Sequence, residues 1–254
     1  MTLVLADCLL PKTPWPRGIL VGFVAAFKLT PAVFVLFFLM RKDFRAAIWT
    51  GIGFVGATAV GFVLAFSDSK EYWTEVVVNS DRIGGPAYRT NQSIVGILAR
   101  LGWDDVRTPL WLLLALVAFV IALIAMRWAV NEGETTLVLM INAMFGLLAS
   151  PVSWSHHWVW AVPIVLTLGT LAYRRSDTAL AVWTGIGVVL FYSAPHRLVL
   201  ADQGSNVGAA LWRQLIASSF VWWNVATLVA LAVIGWRSGV RLTDTWRARA
   251  GSVR

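Results

Sequence analysis

Charge is what this sequence has least of. Asp, Glu, Lys and Arg make up 13% of the 254 residues, against about 25% in a soluble domain. That shortage excludes an ordinary soluble globule, which needs polar surface to cover itself in water. Cysteine is nearly absent: Cys8 stands alone, which excludes an internal disulfide framework and a cysteine-based zinc site. "LVLADC" gives no lipoprotein signal either, because the apolar stretch before Cys8 is too short and Asp7 sits at the cleavage position. Histidine occurs three times, at 156, 157 and 196. No two histidines have the i, i+4 helical spacing of a metal site, so no metal is expected. The net charge of +8 does not imply nucleic acid, because the basic residues gather at the ends of apolar runs and not in an aromatic-interleaved patch.

Apolar residues are what remains. They make up 58% of the chain, the mean hydropathy is +0.71, and 15 tryptophans suit the aromatic belts of a membrane protein. Apolar runs near the roughly 20 residues of a bilayer crossing lie at 18–40, 46–66, 110–130, 135–149, 158–172, 179–193 and 214–236. No soluble domain, repeat or low-complexity tract separates them. The expected fold is therefore all-α, a polytopic membrane helix bundle of about seven spans forming a single domain over 1–254. In lipid a spanning backbone must satisfy its own hydrogen bonds. The runs beginning at Thr135, Trp158 and Ala179 are short, which is expected only of helices packed inside a bundle with locally thinned or wet surroundings.

Lys and Arg orient the series. With Arg41–Arg45 in the cytoplasm and the later spans alternating, the cytoplasmic segments, including a basic tail at 237–254, hold 11 basic residues in 36 positions. The opposite segments, 67–109, 150–157 and 194–213, hold 7 in 71. That asymmetry has the sign of the positive-inside rule. It sends the long 67–109 loop, the histidine pair and the His196 loop to the extracytoplasmic face. The first run does not fit as easily, because Lys28 lies near its middle, Thr30-Pro31 follows, and basic residues flank both ends. It is either one crossing kinked at Pro31 or a re-entrant hairpin with both ends cytoplasmic.

Three groups of residues could carry chemistry. Lys28 at membrane depth requires a cavity or an anionic partner; a phosphate is the functional reading, a structural or snorkelling lysine the bland one. His156 and His157 follow Ser150-Pro151 among Trp154, Trp158 and Trp160, and suit proton transfer or hydrogen bonding to a phosphate or sugar hydroxyl. Two interfacial rings satisfied by water would look the same. Asn91, Gln92 and Ser93 carry amide and hydroxyl groups suited to a polyhydroxylated ligand, although Ser93 could equally cap the amphipathic stretch 94–101, which is expected to lie along the membrane surface. Arg82 and Arg89 are phosphate contacts or solvated loop charges.

The stretches "GILVGFVAAFKLTPAVFVLFFL", "YWTEVVVNSDRIGGPAYRTNQSIVGILARL" and "LLASPVSWSHHWVW", in this order, resemble glycosyltransferase family 87, the polyprenyl-phosphate-sugar-dependent membrane enzymes of actinobacterial envelope synthesis. The resemblance covers nearly the whole chain. It implies a GT-C architecture in the plasma membrane and a lipid-phosphate sugar donor, usually mannose. The implied acceptor is a glycolipid or lipoglycan at the extracytoplasmic face. Neither a nucleotide nor a metal cofactor is implied. Lys28 of "KLTP" falls on the family's intramembrane lysine, Asn91, Gln92 and Ser93 on its loop motif, and His156 and His157 on its histidine motif; Arg82 is a looser match. The family's general base, a carboxylate in the first extracytoplasmic loop, has no counterpart here. The sequence starts where family members are already several helices in, and the chain is expected to be inactive alone. An arabinose donor, a lipid transporter and a non-catalytic fragment or subunit are the alternatives.

Overall fold

The computed structural model describes residues 1–77, 85–201 and 206–237; Arg82 and the tail beyond Arg237 lie outside them. The described residues form helices and turns, with one isolated bridge between Asn91 and Trp154 in place of any sheet. In chain order they are α1 (Thr2–Leu9), α2 (Ile19–Phe27), α3 (Val35–Met40), α4 (Phe44–Leu64), α5 (Phe66–Glu71), α6 (Ile94–Arg100), α7 (Arg107–Asn131), α8 (Thr135–Ala149), α9 (Ala161–Arg175), α10 (Thr178–Ser193), α11 (His196–Val199), α12 (Leu211–Ala217) and α13 (Ser219–Arg237). Helices α4, α7 and α13 are long and apolar enough to cross a membrane.

The first apolar run is a hairpin. Helix α2 ends at Lys28, whose backbone is extended (φ −154°, ψ 121°). A 3-10 turn, Thr30–Phe34, carries Pro31 in its first turn and leads into α3. Proline has no N–H to give and cannot continue the preceding helix. Arg17, before the hairpin, and Arg41, after it, line the same cavity, so both ends lie at one end of the bundle and Lys28 is carried toward the other.

Backbone leaving a helix at membrane depth must find partners in the protein. Tyr72 Oη donates to the Phe27 carbonyl at 3.2 Å, and Asn142 Nδ2, from α8, donates to the Val33 carbonyl at 3.1 Å. At the base, the buried Asp7 carboxylate accepts from Gly18 N–H, Val21 N–H and Trp15 Nε1–H, each at 3.0 Å. It thereby satisfies the open start of α2, where the helix dipole also favours negative charge. Arg17 closes the other side by donating to the carbonyls of Cys8 and Leu10 at the end of α1.

Helices α2 and α4 run parallel and touch backbone to backbone. A Cβ on Gly22 would fall 2.0 Å from the Thr50 carbonyl oxygen, and one on Gly53 would fall 2.4 Å from that of Ile19. This is close approach through small residues, as membrane helices use it. Helix α8 is the centre of the remaining bundle, with Leu137 to Met144 buried without interruption. The buried Ala118, Ala122, Ala125 and Ala129 of α7 recur at steps of four and three, the period that keeps one helical face turned inward.

Two sequence expectations change. The short α10 is not packed inside the bundle: Val182, Val188, Val189 and Tyr192 are exposed, and it meets α13 through Trp183 stacked on Trp223 and Phe191 against Phe220 and Trp223. Lipid solvates its outer face as readily as protein would, so burial was not required. Helix α6 does not lie along the surface; all but one of its seven residues are buried, because the 85–93 segment and α7 enclose it.

The loops between the helices meet in two groups, one at each end of the bundle. Arg41 reaches Thr135 Oγ1, Arg174 pairs with Glu134, and Arg175 pairs with Glu132, all at one end. At the other, Gln92 N–H donates to the Ser153 carbonyl, Arg89 to those of Arg197 and Leu200, and Arg100 to Gln214 and Ser218. Changing Gly53 to Ala should therefore cost about 1–3 kcal/mol of stability through overpacking. Gly51→Ala, where nothing lies within 4 Å, should be neutral or stabilising, and thermal unfolding in detergent measures both.

Candidate functional site

The hairpin tip and the histidine loop meet. Lys28 Nζ lies 2.7 Å from His157 Nε2 across 129 positions of sequence. His156 is exposed beside it, its ring edge-on to His157 with centroids 4.3 Å apart. Ser150-Pro151 ends α8, the chain turns, and a 3-10 helix, Ser155–Trp160, carries both rings before α9 begins. Behind the tip, Phe34 packs on Trp160 at 4.9 Å.

His157 is held from its other side. The Trp154 N–H donates to Nδ1 at 3.1 Å, and the His157 N–H donates back to the Trp154 carbonyl at 2.7 Å. A half-turn of the ring would forfeit both nitrogen contacts. With Nδ1 accepting, the proton of the neutral ring sits on Nε2, facing Lys28. Burial first, then the adjacent Lys28 and His156, push His157 down to about 4 from its ordinary 6.5, so the ring is neutral at physiological pH. Lys28 Nζ stands against this Nε2 edge. An anionic oxygen arriving between them takes a hydrogen from each, and bonds to charged partners are the stronger kind.

Asn91, Gln92 and Ser93 stand behind this pair, each at 0% exposure. Asn91 Nδ2 donates to the carbonyls of Pro86 and Pro151, and its Oδ1 accepts from Ser153 N–H and Ser93 Oγ. Ser93 Oγ caps α6 by accepting from Gly96 N–H. Gln92 accepts from Trp158 Nε1 on its carbonyl. The tripeptide thus clamps the segment that bears the histidines. Arg100, also fully buried, donates to the Asn91 carbonyl at 2.9 Å and ties the clamp to Gln214 of α12 and to Ser218, at the junction of α12 and α13. His196, in the third loop, is buried against Phe220 and also pushed down to about 4, by burial and then by Arg197, Arg100 and Arg89; it is not in contact with the pair.

Sequence reasoning missed Tyr72, Asn142 and Arg100. Asn142 was visible as a lone amide in the apolar run "LVLMINAMFGLL", the kind of intramembrane polar residue that needs a partner. Tyr72 and Arg100 gave no signal apart from the loop composition. Among the described residues no group of three His, Cys, Asp or Glu side chains could hold a metal, and no carboxylate is bonded to Lys28, His156 or His157.

The model of glycosyltransferase family 87 matches residues 1–151. A polyprenol-phosphate-mannose-dependent alpha-(1-2)-phosphatidylinositol mannoside mannosyltransferase of Mycobacterium tuberculosis (strain ATCC 25618 / H37Rv) is 49% identical over 230 residues, 90% of this chain and 53% of that protein. Its namesake in Mycolicibacterium smegmatis (strain ATCC 700084 / mc(2)155) is 45% identical over 242 residues, 92% and 54%. A pentamannoside mannosyltransferase of the latter organism is 32% identical over 226 residues, 87% and 53%. The chain spans about half the length of the curated relatives it matches. No solved structure matches it.

Replacing Lys28 with Met should raise the His157 pKa from about 4 toward, but not to, 6.5, since burial is its largest cause. The ring takes its proton later in the folded chain than in the unfolded one. Its contribution is therefore complete above about 6.5 and lost as pH falls toward 4. Nitrogen-15 shifts of labelled histidine report the change; an unmoved titration would mean that Lys28 is not beside the ring.

Proposed function

Because the chain belongs to glycosyltransferase family 87, we propose that it carries the donor-phosphate side of a membrane glycosyltransferase. The proposed donor is a polyprenyl-phosphate sugar, and the acceptor is a glycolipid of the phosphatidylinositol mannoside kind or a lipoglycan. Mannose is favoured over arabinose by the names of the relatives. The setting is a multi-pass protein of the plasma membrane, working at the extracytoplasmic face.

The observation that carries this reading is the convergence of Lys28 Nζ and His157 Nε2 at 2.7 Å, with the ring's other nitrogen already tied to the backbone. Two hydrogen-bearing edges meet at one exposed point, which suits an oxygen gathering charge as a phosphate departs. In the proposed reaction the acceptor hydroxyl attacks the anomeric carbon, and the bond to the phosphate oxygen breaks with its electron pair. Lys28 and His157 stabilise that oxygen through preorganised electrostatics. His156, exposed at the mouth, contacts the sugar or phosphate from outside. Asn91, Gln92 and Ser93 act by holding the histidine segment, with Arg82 as a further phosphate contact. The hydroxyl proton passes to a carboxylate that this pair does not supply.

Binding is tested before turnover. A polyprenyl-phosphate analogue should quench tryptophan fluorescence of the purified chain in detergent. Lys28→Met and His157→Ala should each weaken its binding about tenfold to a hundredfold, as loss of a hydrogen bond to a charged group of about 1.5–3 kcal/mol requires. His156→Ala should have the smaller effect. Wild-type affinity in both Lys28→Met and His157→Ala would overturn the reading.

A further inference from the structure

A polar cavity lies at the opposite end of the bundle, the end that the distribution of Lys and Arg assigns to the cytoplasm. It encloses about 420 Å³ and is lined by Arg17, Arg41, Asp43, Thr135 and Thr136, with Phe37 in its wall. Its arginines have no carboxylate partner within 4.0 Å among the described residues. Arg41 donates to Thr135 Oγ1 and lies over the Phe37 ring, and Arg17 bonds only backbone carbonyls. Asp43 is engaged in capping α4 through Ala46 N–H at 3.0 Å. Lys12, Lys42 and Arg45 adjoin the lining in sequence and are exposed. Nothing in the proposed transfer uses any of these groups.

We propose that this cavity binds the phosphodiester headgroup of an anionic phospholipid of the inner leaflet. The depth argues for lipid over a soluble anion. Asp43 caps α4, a helix long and apolar enough to cross a membrane, so the cavity lies where such a span begins, and Leu9 and Leu10 line it beside the polar groups. Charge argues for an anion, because the fork of Arg41 matches phosphate oxygens and basic pockets between membrane helices on this side hold anionic headgroups. The site reads lipid at the base of the same hairpin whose tip carries Lys28.

The test uses the purified chain in a neutral detergent, titrated with short-chain phosphatidylglycerol, phosphatidylcholine or inorganic phosphate. Phosphatidylglycerol should bind at least tenfold more tightly than phosphatidylcholine, and inorganic phosphate should not compete at equal concentration. Arg41→Gln should lower the affinity at least tenfold, while Arg174→Gln, elsewhere on this end, should not. Thr136→Glu guards against a folding defect: an acidic residue suits the first turn of α8 but repels the headgroup, so it too should lose at least tenfold. Equal binding of both lipids, wild-type affinity in Arg41→Gln and Thr136→Glu, or full competition by inorganic phosphate would each overturn the proposal. Failure of the polyprenyl-phosphate reading would leave these outcomes unaffected.

Discussion

A peptide backbone that stops being helical inside a membrane has to be met by the protein at every freed polar group. This chain breaks its first apolar run at Lys28, and much of its architecture answers that break. Asp7 completes the start of α2, Tyr72 and Asn142 take carbonyls at the tip, and Gly22 and Gly53 let α2 lie against α4 with no side chain between them. Pro31 favours the break, because it has no N–H to give to the Phe27 carbonyl one turn before it. The lysine at the break is thereby held at a fixed place in the bundle, where an uninterrupted helix would have turned it toward lipid or a neighbour.

The partner of that lysine is fixed by a different device. His157 stands on a short 3-10 helix, which by itself would orient a ring poorly. Its Nδ1 is tied to Trp154 N–H, Trp154 bridges to Asn91, and Asn91 binds Pro86, Pro151, Ser93 and Ser153 at once. Arg100 anchors the far side of the clamp. Buried polar networks of this kind confer rigidity when their members are satisfied, and here the rigidity is delivered to one imidazole edge. Positive charge and a neutral ring hydrogen then share an exposed point, the arrangement on which the proposed contact to the donor phosphate rests.

How much of this could be read beforehand divides along physical lines. The membrane class and the all-α fold follow from composition and from the length of the apolar runs, and these are long-range averages that survive local detail. Lys28 and the histidine pair stood out because charged and titratable groups are expensive in apolar surroundings. The hairpin stayed ambiguous, since Pro31 predicts a break but not the direction of the chain after it; that depends on Asn142 and on the glycines of α2 and α4. Asn91, Gln92 and Ser93 were legible as a polar motif, yet their burial depends on contacts with residues some 60 positions away. Helix α6 looked amphipathic and is enclosed, because sequence periodicity cannot say what packs on the polar side.

The claim on which the rest stands is that the hairpin returns to the side it came from and presents Lys28 to the histidines. Single cysteines placed in a Cys8→Ser background at Lys12, Lys42, Gly85 and His156, and treated on intact cells with a membrane-impermeant maleimide, test it directly. Positions 85 and 156 should label from outside, and 12 and 42 should label only after the membrane is opened. Labelling of 12 and 42 from opposite sides would make the run a single crossing and contradict the account.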